Sequence, residues 1–287
     1  METKVVVRKT NEIVIEKSPN GANFLYNNLF GRVILSLATK RFVSSIAGWY
    51  LNRKRSTKYI KGFIKSNNID MSDYVERDYN SFNDFFSREI KPNKRTFSKE
   101  KKDFCSPSDS KLIVYKITKD KEFTIKGKKY TVERILKDKE LASEYENGYF
   151  MVFRLSVDDY HRYAYIDNGK CLSNKNIKGK YHTVGAIAFD RHKVYEENHR
   201  AYSVLETENF GKIIQMEVGA MMVGKIVNHD KKTFKRGEER GYFRFGGSTI
   251  VIMVKENVLK IDKDILDNSK NNIETKIKQG EKVAKGL

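Results

Sequence analysis

The 287-residue sequence has little cysteine, no long apolar run and far fewer acidic than basic residues. Its two cysteines, Cys105 and Cys171, belong to no CxxC pair or metal-like cluster, which excludes a disulfide-rich scaffold and indicates a reducing compartment. The uncharged run at residues 42–52 falls well short of the roughly 20 apolar residues that span a bilayer. The charged, alternating start of the chain predicts no secretory signal peptide. If the protein meets a membrane, we therefore expect it to lie on the surface.

The most prominent feature of the composition is an excess of positive charge. Lys and Arg number 56 against 37 Asp and Glu, a net charge of +19. This charge favours an anionic partner, either nucleic acid or an acidic membrane, although a soluble protein with a charged surface is the plain alternative. The sequence contains no helix-turn-helix, zinc-finger or RNP-like motif, so no nucleic-acid partner is expected.

The order of hydrophobic patterns predicts an α+β fold. A β-rich lead over residues 1–20 ends in a turn at Pro19, and apolar residues then recur at helical spacing over residues 24–67. Such basic, amphipathic helices either lie in a lipid interface or pack on the core. Beyond Pro92 we predict a mainly antiparallel, β-sandwich-like domain, which divides the chain into residues 1–95 and 96–287. The predicted strands are 111–117, 149–155, 213–218, 225–227, 242–245 and 249–254.

Two glycines stand directly before Ser248, in the sequence FRFGGSTIV at residues 243–251. Glycine reaches positive φ and carries no Cβ, so it permits a backbone in which a hydroxyl turns back on the preceding carbonyl. Ser248 Oγ could then attack the Gly247 carbonyl in an N-to-O acyl shift, and elimination and hydrolysis would leave a pyruvoyl group. A simple hairpin turn explains the same residues without chemistry.

Two further polar residues are candidate partners of Ser248. His161, in DDYHR at residues 158–162, follows a predicted strand and could accept the hydroxyl proton near neutral pH. Asp109, in CSPSDS at residues 105–110, follows a Pro turn and could orient the His and stabilise its cation. A solvent-facing His beside a turn and an ordinary Asp turn are the alternatives.

Five segments occurring in a fixed order make the chain resemble the phosphatidylserine decarboxylase family over most of its length. Each segment alone is moderately specific, but unrelated chains would have to match order and spacing as well as residue type. The segments are FNDFFSREIKP at 82–92, DYHR at 159–162, VGAMMVGKI at 218–226, KRGEERGYF at 235–243 and GGST at 246–249.

The resemblance implies a proenzyme that cuts itself between Gly247 and Ser248. Residues 1–247 would become a large β chain, and residues 248–287 a small α chain that begins with a pyruvoyl group made from Ser248. Asp109, His161 and Ser248 match the family's self-cleavage triad. The pyruvoyl carbonyl would form a Schiff base with phosphatidylserine and delocalise electrons as CO2 leaves, yielding phosphatidylethanolamine. No metal or diffusible cofactor is expected.

The resemblance also implies partners and a location. The N-terminal helices match the family's membrane-docking region, so we expect a peripheral protein on the cytoplasmic side of the cell membrane. Its substrate would be phosphatidylserine in an anionic bilayer, near which each Lys or Arg gains about 1 kcal/mol. The large and small chains would stay together, and a homodimer is expected from the family.

The chain departs from the family's pattern at three positions. Gly246 replaces a Leu, Ser110 replaces a Gly, and Ala164 stands where many members carry a second His. The step given to that second His must fall to His161, to water or to another group, for which His182 is a candidate.

Two rival functions are a pyruvoyl decarboxylase of a soluble amino acid or nucleoside, and a non-cleaving relative that binds acidic lipid or nucleic acid. The basic amphipathic N-terminal region speaks against a soluble substrate. A chain that never cleaves would remain a single polypeptide.

Overall fold

The computed structural model describes residues 2–18, 20–221, 226–229, 231–245 and 248–287. Its architecture is α+β, as the sequence predicts, with N-terminal helices and a mainly antiparallel β region. The helices are α1 (Asn20–Asn27), α2 (Leu29–Ala38), α3 (Arg41–Leu51), α4 (Ile60–Ser66), α5 (Phe82–Phe86), α6 (Val132–Leu136), α7 (Lys139–Ser143), α8 (Ala186–Phe189), α9 (Val194–Glu197) and α10 (Lys263–Lys270), with a 3-10 helix at Lys54–Tyr59.

The strands carry most of the core. They are β1 (Glu2–Val7), β2 (Glu12–Lys17), β3 (Asp103–Cys105), β4 (Ser110–Lys116), β5 (Glu122–Ile125), β6 (Lys128–Thr131), β7 (Tyr149–Leu155), β8 (Arg162–Ala164), β9 (Gly169–Ile177), β10 (Arg200–Thr207), β11 (Gly211–Gly219), β12 (Ile226–Asn228), β13 (Thr233–Phe234), β14 (Glu239–Phe243), β15 (Ser248–Val254), β16 (Leu259–Ile261), β17 (Glu274–Ile277) and β18 (Lys282–Gly286).

A ten-stranded sheet organises the molecule, in the order β13-β9-β10-β11-β15-β7-β4-β17-β1-β2. Its neighbouring strands are antiparallel except for the parallel pair β1 and β17. β15 lies inside the sheet between β11 and β7, and all of its residues are buried. An unbroken apolar run is what a strand covered on both faces needs. The register pairs Ser248 with Gly219 on one side and with Leu155 on the other.

The N-terminal strands belong to the same sheet as the strands near the C-terminus. β1 pairs with β17, and β2 forms the outer edge beyond it. The first strands of the chain therefore lie with the β region and not with the helices that follow them. The division of the chain at residue 95 stays a prediction. Pro19, where the sequence predicts a turn, lies outside the described residues, and α1 begins at Asn20.

Helices α1, α2 and α3 turn most of their large apolar side chains outward. Tyr26 and Leu35 are buried, and Gly31 lets α2 approach α1 closely, since a Cβ there would lie 2.1 Å from the Phe24 carbonyl oxygen. No described helix is both long and apolar enough to cross a membrane. The outward side chains, which we call the apolar face, are at least 40% exposed: Phe24, Leu29, Phe30, Val33, Ile34, Leu37, Phe42, Val43, Ile46 and Trp49.

The short helix α5 connects the N-terminal region to the sheet. The Ser81 side chain caps the helix by accepting a hydrogen bond from the Asp84 amide. Phe82 and Phe86 pack edge-on against Phe245, with ring centroids 5.0 and 5.1 Å apart. This aromatic cluster holds the chain at Phe245, three residues before Ser248, and places Phe86 beside His161.

Candidate active site

The structure brings Ser248 and His161 together in the interior. Ser248 is the first residue of β15, and His161 directly precedes β8. Ser248 Oγ lies 3.2 Å from His161 Nδ1, and both residues are completely buried. The two side chains come from positions 87 residues apart. A serine hydroxyl within hydrogen-bond reach of an imidazole is the arrangement that activates a nucleophile.

The hydrogen bonds of His161 determine which of its nitrogens can act as a base. The second ring nitrogen, Nε2, lies 3.0 Å from the Ser156 carbonyl oxygen. A carbonyl oxygen can only accept, so Nε2 carries the proton and Nδ1 is left with its lone pair. Nδ1 therefore accepts the hydrogen bond from Ser248 Oγ and is the atom able to take its proton.

Burial keeps His161 neutral. Loss of solvent and, to a smaller extent, the nearby Arg88 cation together lower the pKa of His161 to about 3 from an ordinary value of 6.5. The ring of Phe86 covers the imidazole at a centroid distance of 4.1 Å. At neutral pH the residue is therefore present in the form that accepts a proton, although its conjugate acid is disfavoured in this environment.

A buried ion pair supports the turn that holds His161. Asp159 Oδ2 accepts hydrogen bonds from Lys111 Nζ at 2.6 Å and from the Ser156 amide at 2.7 Å. The Ser156 carbonyl, which accepts from the Asp159 amide at 3.0 Å, also faces His161. The Asp-Tyr-His part of the predicted motif is thus one compact turn in which the carboxylate fixes the backbone under the imidazole.

Asp109 makes its hydrogen bonds with residues other than this pair. Its carboxylate accepts from Arg95 Nε and Nη2 at 2.8 and 2.7 Å, and from the Gln279 amide at 2.8 Å. Among the described residues no hydrogen bond joins Asp109 to His161, whose Nε2 faces the Ser156 carbonyl instead. The triad role that the family resemblance gives to Asp109 stays a prediction.

The position of the missing second His is occupied by a small buried side chain. Ala164 ends β8 and is 2% exposed. His182, the candidate replacement, lies beside Tyr26, His192 and Glu197. None of the hydrogen bonds recorded for the described residues joins it to Ser248. The structure therefore gives no contact through which His182 would replace that side chain.

A cavity of about 570 Å³ is lined by neighbours of Ser248. Leu155, the β7 partner of Ser248, and Phe245, three residues before it, both line this space. Ala22 and Leu25 of α1 form another part of the wall, together with the backbone segment 183–187. The cavity thus lies between neighbours of Ser248 and the helix that begins the apolar face.

Sequence reasoning missed the groups that set the environment of the imidazole. Arg88 is fully buried and donates from Nη2 to Tyr74 Oη and to the carbonyl oxygens of Asp158 and Asp159. Arg88 stands in the FNDFFSREIKP segment, and a lone Arg within an aromatic-rich segment was the available signal. Ser156 contributes only its backbone, which no side-chain pattern reveals. Gly246 and Gly247, the remainder of the predicted cleavage site, lie outside the described residues.

Comparison with known proteins agrees with the order of the motifs. A family model described as phosphatidylserine decarboxylase matches residues 82–285. A phosphatidylserine decarboxylase proenzyme 2 of Clostridium acetobutylicum is 53% identical over 286 residues, covering 99% of this chain and 98% of its own. A proenzyme of Fusobacterium nucleatum is 42% identical, covering 96% and 95%, and one of Clostridium tetani is 40% identical, covering 97% and 96%. The chain belongs to the phosphatidylserine decarboxylase family and is a decarboxylase.

Proposed function

We propose that this proenzyme converts itself into a two-chain, pyruvoyl-dependent enzyme that decarboxylates phosphatidylserine to phosphatidylethanolamine and CO2. The observation that carries the proposal is the buried contact between Ser248 Oγ and His161 Nδ1. An imidazole kept neutral by burial beside a serine hydroxyl supplies a base at the first residue of the future small chain. The membership of the family supports both the substrate and the self-processing.

Self-cleavage needs only residues of this chain and one water molecule. His161 Nδ1 takes the proton of Ser248 Oγ as Oγ bonds to the Gly247 carbonyl carbon, and it returns that proton to the Ser248 nitrogen as the bond between this nitrogen and the carbonyl carbon breaks. Loss of the Ser248 α-proton expels Gly247 as a free carboxylate and leaves dehydroalanine. Water converts dehydroalanine to the pyruvoyl group and releases ammonia.

The residues present fit such a group at the start of β15. The pyruvoyl group supplies an electrophilic carbonyl for the substrate amine and an electron sink during loss of CO2. The interior position of Ser248 keeps bulk water away from the reacting atoms. The cavity beside Leu155 and Phe245 offers space for a headgroup. Because Ala164 provides no imidazole, we assign the proton-transfer role at this site to His161.

The apolar face supports a substrate drawn from a membrane. Large exposed apolar side chains on consecutive helices are typical of a surface that contacts lipid or protein. Residues 20–66 contain no Asp or Glu, and their exposed cations suit an anionic bilayer. These exposed cations are Arg32, Lys40, Arg53, Lys54, Arg55, Lys58, Lys61 and Lys65. We therefore place the protein on the cytoplasmic side of the cell membrane as a peripheral protein, where a homodimer is also expected.

Mass spectrometry of the purified protein tests the self-processing directly. We expect two chains, and the smaller one should begin at residue 248. Its pyruvoyl group should react with an added amine, and reduction with borohydride should give a stable amine adduct. Ser248→Ala should give one intact chain and release no CO2. Ser44→Ala is a matched control, because Ser44 is also buried and its hydroxyl has no partner among the described residues. An intact folded wild-type chain, or CO2 release by Ser248→Ala, would contradict the proposal.

Substrate choice is tested separately on the processed enzyme. We expect CO2 from phosphatidylserine in vesicles and much less from free serine or another soluble amino acid at the same concentration. Equal or faster turnover of a soluble amino acid would favour the rival function, a soluble pyruvoyl decarboxylase. Processing without any decarboxylation would refute the assigned reaction while leaving the self-cleavage intact.

A further inference from the structure

Three side chains away from Ser248 converge on one point: His182, His192 and Glu197. Each offers one ligand atom, and these atoms all lie within 4.8 Å of one another. Glu197 Oε2 lies 3.7 Å from His182 Nε2 and 3.3 Å from His192 Nδ1. Ligands bound tetrahedrally at about 2.1 Å from a zinc ion are separated by about 3.4 Å. The spacing of the three atoms is therefore close to that of a shared metal ion.

The buried nitrogen of His182 provides an independent observation. His182 is only 3% exposed, and its Nε2 has no hydrogen-bond partner within the described part of the chain. A buried polar atom without a partner is uncommon and calls for an explanation such as a bound ion. The other ring nitrogen, Nδ1, lies 3.5 Å from Tyr26 Oη. A metal-binding His usually donates its second N–H to an oxygen in this way, which directs the free lone pair toward the ion.

We infer that His182 Nε2, His192 Nδ1 and Glu197 Oε2 bind one divalent first-row transition-metal ion, with zinc as the best match. Two imidazoles and one carboxylate form a ligand set that suits zinc and leaves a fourth position for water. The carboxylate is also held in place, because Glu197 Oε1 accepts from the Lys193 amide at 2.8 Å. Asn198 fixes the neighbouring backbone by accepting from the His182 amide and donating to the His182 carbonyl.

Two features limit the affinity. The rings of His182 and His192 are stacked at a centroid distance of 3.7 Å and an angle of 18°, so their lone pairs lie in two nearly parallel planes and an ion cannot lie in both planes at once. Binding would therefore require the His192 ring, whose side chain is 26% exposed, to turn about its Cβ–Cγ bond and aim Nδ1 at the ion. Lys180 and Lys128 place positive charge nearby.

A metal ion here would connect the helices to the wall of the cavity. His182 directly precedes segment 183–187, which lines the cavity that Leu155 and Phe245 also line. The Thr183 amide donates to Tyr26 Oη of α1 at 3.0 Å. The sequence predicts no metal site, because these three residues form no recognised spacing motif and meet only in the folded chain. The inference concerns a separate site and does not depend on the proposed function.

Metal binding is tested on the full-length, self-processed protein after removal of any affinity tag and of bound metal by a chelator. Titration with zinc chloride, followed by gel filtration and elemental analysis, should give one zinc ion per processed molecule. Cobalt(II) chloride should give visible absorption bands typical of nitrogen and oxygen ligands. Absence of bound zinc and cobalt in the folded wild-type protein would overturn the inference, whatever the variants do.

Variants locate the ion. Glu197→Gln and His182→Gln should each weaken zinc affinity about ten-fold or more, and Glu197→Gln is the safer of the two because its side chain is 32% exposed. His229→Gln is the matched control: His229 Nε2 lies 2.9 Å from Glu239 Oε1, so it removes a His–Glu pair elsewhere. Unchanged affinity in Glu197→Gln, or an equal loss in His229→Gln, would overturn the assignment. Zinc should also slow amide hydrogen exchange over residues 181–199 in the wild type only.

Discussion

His161 is the residue on which the self-cleavage chemistry depends. The Ser156 carbonyl fixes its tautomer, and the burial beneath Phe86 keeps it neutral. We predict that His161→Ala slows self-cleavage by about 100-fold or more, since removal of a general base usually has an effect of that size. The measurement is the fraction of cut chain against time after refolding. Cleavage at the wild-type rate would show that another group takes the proton of Ser248.

The same burial predicts how stability responds to pH. His161 binds a proton in the unfolded chain below its ordinary pKa of 6.5 but in the folded protein only near a pKa of about 3. Between these values the unfolded state holds the extra proton, so the free energy of unfolding falls as the pH is lowered. From pH 6.5 to 5 this contribution amounts to about 2 kcal/mol.

Urea unfolding checks this pH dependence in the uncut Ser248→Ala background. His161→Gln should lose less stability than its parent between pH 6.5 and 5, because glutamine does not titrate. The control comparison is His229→Gln, whose imidazole is partly exposed. An identical loss of stability in the parent and in His161→Gln would mean that His161 is not held neutral by the fold.

Substitution of Asp109 tests whether this residue stabilises the fold through Arg95 or takes part in self-cleavage. Its partner Arg95 is 7% exposed, and breaking a buried ion pair by removing one member destabilises a protein by about 3–5 kcal/mol. We predict a loss of that order for Asp109→Asn, measured by urea unfolding in the Ser248→Ala background. Glu76→Gln, which removes an exposed ion pair with Lys91, should change stability by less than about 1 kcal/mol. If Asp109→Asn keeps full stability in the Ser248→Ala background but abolishes self-cleavage in a chain that retains Ser248, the triad role of Asp109 would be supported instead.

At the scale of the elements, the apolar face shows a packing arrangement that the sequence pattern does not predict. Helical periodicity over residues 24–67 predicts the helices but leaves open which side meets the core. The folded chain buries Tyr26 and Leu35 and leaves large residues such as Phe30 and Phe42 exposed. An amphipathic pattern alone does not reveal this, because core and lipid favour the same residue types.

Charge placed on the apolar face should reduce membrane binding. We predict that Phe30→Glu and Phe42→Glu each weaken binding to phosphatidylserine-containing vesicles about ten-fold or more, since a buried Phe contributes about 1.5–3 kcal/mol. Phe30 is 68% exposed and Phe42 is 73% exposed, so neither substitution should affect folding. Complete self-cleavage of both variants checks that they fold. Sedimentation with vesicles measures the binding.

Leu172→Glu provides the control for this experiment. Leu172 is 45% exposed and lies on β9, outside the N-terminal helices. An equal loss of vesicle binding in this variant would point to net charge as the cause. Unchanged binding in Phe30→Glu and Phe42→Glu, with a change in oligomeric state instead, would assign the face to a second copy of the chain.

The strands show what could be predicted from sequence and what could not. β7 occupies the predicted residues, and β11 and β15 contain the predicted runs, because continuous apolar stretches bounded by polar residues are typical of interior strands. β9 was missed. Its sequence GKCLSNKNI is polar and largely exposed, so its pairing with β10 comes from the backbone and not from an apolar pattern.

The sequence predicts which residues form the candidate site but not which hydrogen bonds they make. Ser248 and His161 stand in recognisable motifs, and they meet because β15 pairs with β7 while His161 follows the turn that joins β7 to β8. The Arg95 contact of Asp109 comes from a segment with no motif of its own. A family pattern gives residue types at positions, whereas hydrogen-bond partners depend on the packed fold.

At the scale of the whole molecule, the predicted cut falls inside one continuous structure. The future small chain, residues 248–287, contributes β15 and β17 to the ten-stranded sheet and pairs β18 with β3. β15 has hydrogen-bonded neighbours on both sides, β11 and β7, which belong to the large chain. Gln279 also donates from Nε2 to the Pro107 carbonyl oxygen. Cleavage before Ser248 therefore leaves the contacts that hold the two chains together in place.

We accordingly predict that the processed chains do not separate under native conditions. Gel filtration without denaturant should give one peak containing both chains in equal amounts, and urea should release the small chain only where the sheet unfolds. Val251→Asp, in the middle of β15, places an unpaired charge in a fully buried position and should prevent formation of the complex. Lys260→Ala, on an exposed position of β16, is the control. Recovery of free small chain from native wild-type protein would show that the sheet does not hold the cleaved molecule together.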